Sequence, residues 1–330
     1  MKCDQPENMA EETVDELRQK KKLSRRGFVK LIGLGAASVA VPEAVKWGVE
    51  QLAGRQDQIA RLALATEVRS GAFRMEQIGK LQTLTELRES LIDSLEALSG
   101  ISESQIMVGD GDQRISVRFG AATESFFPAS VIKVPICNEA WKMGSDMGKT
   151  FLTPELADQI LHKSYPFKDL VMQLPAAEGK SPDQLELIVR DMLENADIPP
   201  KNKAGELPLR VGMGDLFVYL NRMKLPNVMR EAMRQTQDDK RKNYGVSTVL
   251  LDTIGEDIPA FFKIGLIYDQ GKEPRELVNS YYFQLGNSFK TLGYAKGLQV
   301  DDVHAAMLHT AARITSYMKN RQHPHPKSDT

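Results

Sequence analysis

At 330 residues, with 42% hydrophobic and 26% charged side chains, the chain is long enough to bury one large core or two smaller ones. Its 43 Lys and Arg nearly balance 44 Asp and Glu, and no charged tract stands out, which argues against a general nucleic-acid binder. The two cysteines are Cys3 and Cys137, so no intramolecular disulfide is left once an N-terminal leader is removed.

The leader is the first element in chain order. Residues 24–30 read SRRGFVK, and the run 31–41 that follows is short and rich in Gly and Ala. Ser24, Arg25, Arg26, Phe28 and Lys30 resemble a twin-arginine translocation signal, with cleavage expected after Ala40. That resemblance implies export by the twin-arginine translocase to a periplasmic or extracytoplasmic location. Membrane contact would be through the leader alone, which would stay as an anchor if it is not cleaved. Residues 1–40 are thus expected to be a signal peptide, 41–99 a helical segment and 100–330 the main domain.

A helix is predicted over 41–70 and another over 73–99. In the second, Leu84, Leu87, Leu91, Leu95 and Leu98 recur every three or four residues as a packing stripe. A hairpin follows, with strands at 105–108 and 115–119 around the turn Gly109-Asp110-Gly111-Asp112. The turn lacks the other ligands of a calcium loop. A mainly helical block is expected over about 136–250, broken near Pro166, Pro182 and the Pro199-Pro200 pair. Strand character returns at 259–268, 278–285 and 289–296, and a helix closes the chain over 301–320. The tail after residue 320 is Pro-broken, and its His323 and His325 suit a flexible end better than a metal site. The pattern predicts an α+β fold: an antiparallel sheet flanked by N- and C-terminal helices, with an inserted all-helical subdomain. No cofactor-binding or metal-binding motif is present, so none is expected.

Between hairpin and helical block stands FFPASVIKVP, in which Ser130 precedes Lys133 by three residues. Positions i and i+3 share a helical face, so the lysine amine can take the serine proton and create an oxygen nucleophile. Pro128 suits a first helical position, which would put Ser130 in the first turn. Spacing alone is weak, since Ser316 and Lys319 match it too. Cys137, seven residues after Ser130 on the same predicted helix, reads as a buried apolar side chain.

Over roughly 100–320, this order resembles the penicillin-recognising serine enzymes, the class A β-lactamases and DD-peptidases. In that family a hairpin leads into a helix bearing S-x-x-K, and a strand bearing K-[TS]-G follows a helical subdomain. Here the strand carries Lys263-Ile264-Gly265, with Ile264 in place of the hydroxyl residue. The resemblance implies Ser130 as nucleophile, Lys133 as general base, and the backbone N–H groups of Ser130 and Leu266 as oxyanion hole. Lys263 would attract a substrate carboxylate, and Gly265 would admit substrate backbone. Tyr165 would stand at the cleft entrance, and Asp197 is the nearest match to the family's S-D-N motif. Glu206 is the carboxylate in the interval where a deacylating glutamate would fall. The implied function is an exported serine hydrolase acting on a β-lactam or a cell-wall peptide amide. Two readings stay open beside it: a catalytically degenerate protein binding peptidoglycan or a protein partner in the same cleft, and an adaptor working through the leucine stripe.

Overall fold

The computed structural model describes residues 81–162, 166–206, 208–234, 258–268 and 276–322. The leader, the helix expected over 41–70, the start of the helix expected over 73–99, and the tail with His323 and His325 lie outside the described residues. Helix α1, Leu84–Glu96, opens with a capping box: Thr83 Oγ1 accepts from the Glu86 amide, and Glu86 Oε2 accepts from the Thr83 amide. Its stripe is a packing face, with Leu87, Leu91 and Leu95 fully buried.

Strands β1 (Ile101–Asp110) and β2 (Gln113–Gly120) are longer than the sequence suggests and leave a two-residue turn. Gly111 takes φ +60° there, a left-handed geometry that tight hairpins demand and glycine meets cheaply. After a short strand β3 (Ser125–Phe126) and a 3₁₀ turn (Ala129–Ile132) come helices α2 (Lys133–Asp146), α3 (Pro154–His162), α4 (Pro166–Gln173) and α5 (Leu185–Asn195). Strand β4 (Val211–Gly212), α6 (Met213–Arg222) and α7 (Asn227–Met233) complete the described part of the helical block. Strands β5 (Ala260–Tyr268), β6 (Leu277–Leu285) and β7 (Phe289–Gly297) then lead into α8 (Val300–Gln322).

The five long strands form one antiparallel sheet in the order β2-β1-β7-β6-β5. Strand alternation divides its side chains between two cores. On one face Ile106, Phe262, Tyr281 and Phe283 pack with α1 and α8 through Leu91, Met307 and Ile314. Polar ties fix this layer: Arg313 Nε donates to the Ser90 carbonyl at 2.7 Å, and Tyr317 Oη and Arg321 both reach Asp110 Oδ2. On the other face Leu292, Tyr282 and Tyr294 pack with Phe126, Val134 and Phe217 of the helical block. The expected architecture is therefore present: an antiparallel sheet, flanking terminal helices and a helical insertion between β2 and β5.

Lys290 joins the second pair of layers. From β7 its amine donates to the Leu220, Asn221 and Met223 carbonyls at 2.8, 2.9 and 2.6 Å, capping the end of α6. Burial pushes the amine down to about 8, so it still carries its charge at neutral pH. Lys290→Met would leave three carbonyls without their donor, each worth about 1 kcal/mol. Relief of the buried charge offsets part of that, giving an expected loss of about 2 kcal/mol. Urea denaturation of the two proteins checks this, and equal midpoints would remove the cap from the account.

His304 on α8 is buried, at 5% exposed. It faces the sheet rather than solvent, with Nδ1 3.5 Å from Asn279 Nδ2. Burial and the neighbouring Arg313 push His309 down to about 4.

Candidate active site

The segment before Ser130 is fastened at three points, two on the five-stranded sheet and one on the short strand β4. Phe126 stacks on Tyr294 of β7, with centroids 5.2 Å apart. Strand β3 pairs with β4, joining Phe126 to Val211. Ser280 Oγ of β6 donates to the Phe127 carbonyl at 2.8 Å. Nothing in the sequence marks Ser280 for this duty, because a serine within an apolar strand reads only as a small residue.

Ser130 then enters a 3₁₀ turn rather than the first turn of an α-helix. The α-helix begins at Lys133, whose backbone N–H donates to the Ser130 carbonyl. The consequence for chemistry is favourable, since side chains at i and i+3 eclipse in a 3₁₀ helix. Ala129, immediately before the serine, has φ +45°. A non-glycine residue in that region is strained. Alanine carries no sequence signal for such a turn, which is why a plain helix start was the natural expectation.

Strand β5 runs directly beneath. Gly265 pairs with Ser280, and a Cβ added at Gly265 would lie 2.3 Å from the Ser130 amide nitrogen and 2.6 Å from Ala129 Cβ. Gly265 is thus required by the close approach of the serine turn. Lys263, two residues earlier on the same side of the strand, is 9% exposed and donates to the Ile264 carbonyl at 2.8 Å. Ile264 has the opposite parity and packs with the core under the terminal helices. Leu266 shares that parity and also packs there, leaving its backbone as the part of it nearest the serine side.

Lys133 is 7% exposed. Its amine donates to the Ile160 carbonyl of α3 at 3.3 Å and stands 5.9 Å from the Phe167 ring of α4. Burial lowers its pKa below the usual lysine value of 10.5. Lys263 is pushed down to about 7, first by burial and then by the Lys133 charge. Two amines that repel each other therefore lie close together, on the two segments that meet at the Ser130 turn, and each is easier to deprotonate than a surface lysine. Cys137, also near them, is fully buried and its thiol is pushed up to about 12 by burial, which makes it inert.

The lowered Lys263 pKa has a testable consequence for stability. Between pH 7 and 10.5 the unfolded chain holds a proton that the folded chain has released, so stability rises with pH through that window. Lys263→Met removes this term. The variant should gain most over the parent at pH 7, with the difference shrinking by at most about 1.4 kcal/mol per pH unit on the way to pH 10. Paired urea melts at pH 7 and 9 check it; a constant difference would show that Lys263 is not desolvated.

Asp197 does not join this cluster. It is exposed, has φ +58°, and lines a separate groove with Asn138 and Trp141. The elements that touch the Lys133 amine are α3 and α4, through Ile160 and Phe167. Glu206 is exposed and turns back onto its own loop, accepting from the Lys203 amide at 3.0 Å. Tyr165 lies outside the described residues. The second S-x-x-K is a different object: Ser316 is buried inside the long helix α8 and Lys319 is exposed. Among the described residues no His, Cys, Asp and Glu group could hold a metal ion.

No protein-family model matches the chain, and no curated protein matches it. Among solved structures, the chain is similar to a variant of the last common ancestor of Gram-negative class A β-lactamases. The identity is 14%, covering 72% of this chain and 99% of that one, at a TM-score of 0.48. It is similar to a β-lactamase from Burkholderia vietnamiensis at 12% identity, over 71% and 97% of the two chains, at a TM-score of 0.48. It is also similar to PBP-A at 14% identity, over 74% and 99%, at a TM-score of 0.46. Overlaps at these scores carry no weight, so the architecture rests on this chain's own strand order and registers.

Proposed function

We propose that the chain is a serine acyl-transfer enzyme, and within that class a hydrolase of the penicillin-recognising type acting on a β-lactam or a cell-wall peptide amide. The observation that carries this is the packing of the Ser130 turn against Gly265, with two depressed lysines beside it. In the reaction, Ser130 Oγ attacks the carbonyl carbon while its proton passes to neutral Lys133. The backbone N–H groups of Ser130 and Leu266 stabilise the oxyanion. Collapse breaks the C–N bond, the nitrogen takes up a proton, and the acyl group stays on Ser130 until water releases it. Lys263, when protonated, attracts the substrate carboxylate. With Glu206 turned away from the cluster, slow release is expected, as in an acyl-accepting protein rather than a fast lactamase.

A fluorescent penicillin tests the reading. Covalent labelling that disappears in Ser130→Ala supports it, and an unlabelled folded protein sinks it. Chromogenic cephalosporin turnover then separates fast from slow deacylation.

One observation favours a second reading, a degenerate binding protein. The Lys133 amine is engaged by the Ile160 carbonyl, a role a purely structural lysine could fill. Peptidoglycan binding that is intact in Ser130→Ala, without any labelling of the parent, would support it.

Export by the twin-arginine route is part of the proposal. It rests on Arg25 and Arg26 in the pattern SRRGFVK. Replacing both by lysine should leave the protein in the cytoplasmic fraction; unchanged export would refute the route.

A further inference from the structure

A second recognition surface lies on the helical block. Residues of α2, α6, the turn after α5 and the start of α7 enclose an open groove of about 790 Å³, a volume suited to a small ligand. None of Ser130, Lys133, Lys263 or Gly265 lines it. Its floor is a fixed polar relay. Asn138, 1% exposed, donates through Nδ2 to Tyr219 Oη at 2.6 Å, and Tyr219 Oη donates to Glu139 Oε1 at 2.5 Å. The Lys142 amine holds the same carboxylate oxygen at 2.8 Å and stands 5.4 Å from the Tyr219 ring centroid. Asn138 is buried beneath the groove, so its part is to hold the Tyr219 hydroxyl in place rather than to meet a ligand.

The chemistry of the walls narrows the ligand. The lining cations Lys142, Arg222 and Lys224 match the lining anions Glu139, Asp197 and Asp215 in number, and Lys201 beside Asp215 adds one positive charge, too little to select a polyanion. Lys142 occupies Glu139, and Lys201 occupies Asp215 at 2.7 Å. Asn195 and Asn227 add amides that both donate and accept. Among apolar lining residues Ala196, Met223 and Leu225 are buried, so no empty apolar socket waits for a peptide side chain. The broad apolar surface on offer is the indole of Trp141, 41% exposed. A flat aromatic face in a groove that also presents the amides of Asn195 and Asn227 and the carboxylate of Asp197 matches a sugar, whose ring has an apolar C–H face and a hydroxylated edge.

We propose that this groove binds a short uncharged oligosaccharide, one pyranose ring lying on Trp141 and its polar edge meeting Asn195, Asp197 and Asn227. The site is independent of acylation at Ser130.

Tryptophan fluorescence of the full chain tests this, using tri-N-acetylchitotriose and cellotriose as probes. The two tryptophans are Trp47 and Trp141, so Trp47→Phe serves as the background that isolates the groove signal. The expected result is saturable quenching or a blue shift, with affinity falling roughly tenfold or more in Trp141→Ala by calorimetry. Because Trp141 is exposed, that variant should keep the parent's thermal melting; Asn195→Ala gives a second variant with weakened binding. Ser130→Ala should titrate like the parent, which separates failure here from failure of the acylation reading. No saturable signal with either sugar, binding indifferent to Trp141→Ala, or a D-alanyl-D-alanine stem peptide displacing the sugars from the groove would each overturn the proposal.

Discussion

Lys133→Met is expected to slow acylation of Ser130 by about 10²–10⁴-fold, the range that general-base catalysis supplies. Lys133 is held one 3₁₀ turn from Ser130 by its own N–H bond to the Ser130 carbonyl, so its place does not depend on substrate. Methionine keeps most of the volume and removes the amine; the lost bond to the Ile160 carbonyl costs about 1 kcal/mol, partly offset by relief of the buried charge, so the fold should persist. The parent's labelling rate should rise with pH as Lys133 loses its proton, with a midpoint below 10.5 because burial disfavours the charged form. The variant should lack that limb. Quenched labelling with a fluorescent penicillin between pH 6 and 10 reads both effects. A Lys133→Met rate within a few-fold of the parent would remove Lys133 from the reaction and leave it as a structural tie to Ile160.

Gly265→Val should be the most damaging substitution on the strand side. Its first added carbon would fall 2.3 Å from a backbone nitrogen, which no side-chain rotation can relieve. Either β5 or the serine turn must move, and the turn is held by Phe126 on Tyr294 and by Ser280 on the Phe127 carbonyl. Overpacking of this kind costs about 1–3 kcal/mol. Displacing the serine by even about 1 Å should reduce acylation roughly 100-fold. Thermal melting and the same labelling assay, run side by side, decide it. A variant that melts and labels like the parent would show that β5 does not press on the turn.

These two residues show how unevenly the sequence exposes the site. Apolar alternation placed β5, β6 and β7 within a residue or two, because a strand buried on one or both faces must repeat its side chains at fixed spacing. Leucine spacing found α1, although its start went unmarked while the capping box of Thr83 and Glu86 stood in the sequence to show it. Lys290 was invisible for a physical reason: a lysine in a strand looks like a solvent residue, and only the approach of α6 turns it into a cap. Ile264 misled in the other direction. Read as the missing hydroxyl of a motif, it faces the core under α8, where an apolar side chain is required. The groove around Trp141 had no signature, since it is made by three helices and a turn that are far apart in sequence.

The proposed reaction is covalent chemistry at one oxygen atom, Ser130 Oγ. Intact-mass measurement of the full chain after incubation with benzylpenicillin tests it most directly. The expected result is a gain equal to one whole penicillin, mapped by peptide digestion to the segment holding Ser130 and absent from Ser130→Ala. A folded chain whose mass stays unchanged, or an adduct that persists in Ser130→Ala, would contradict it.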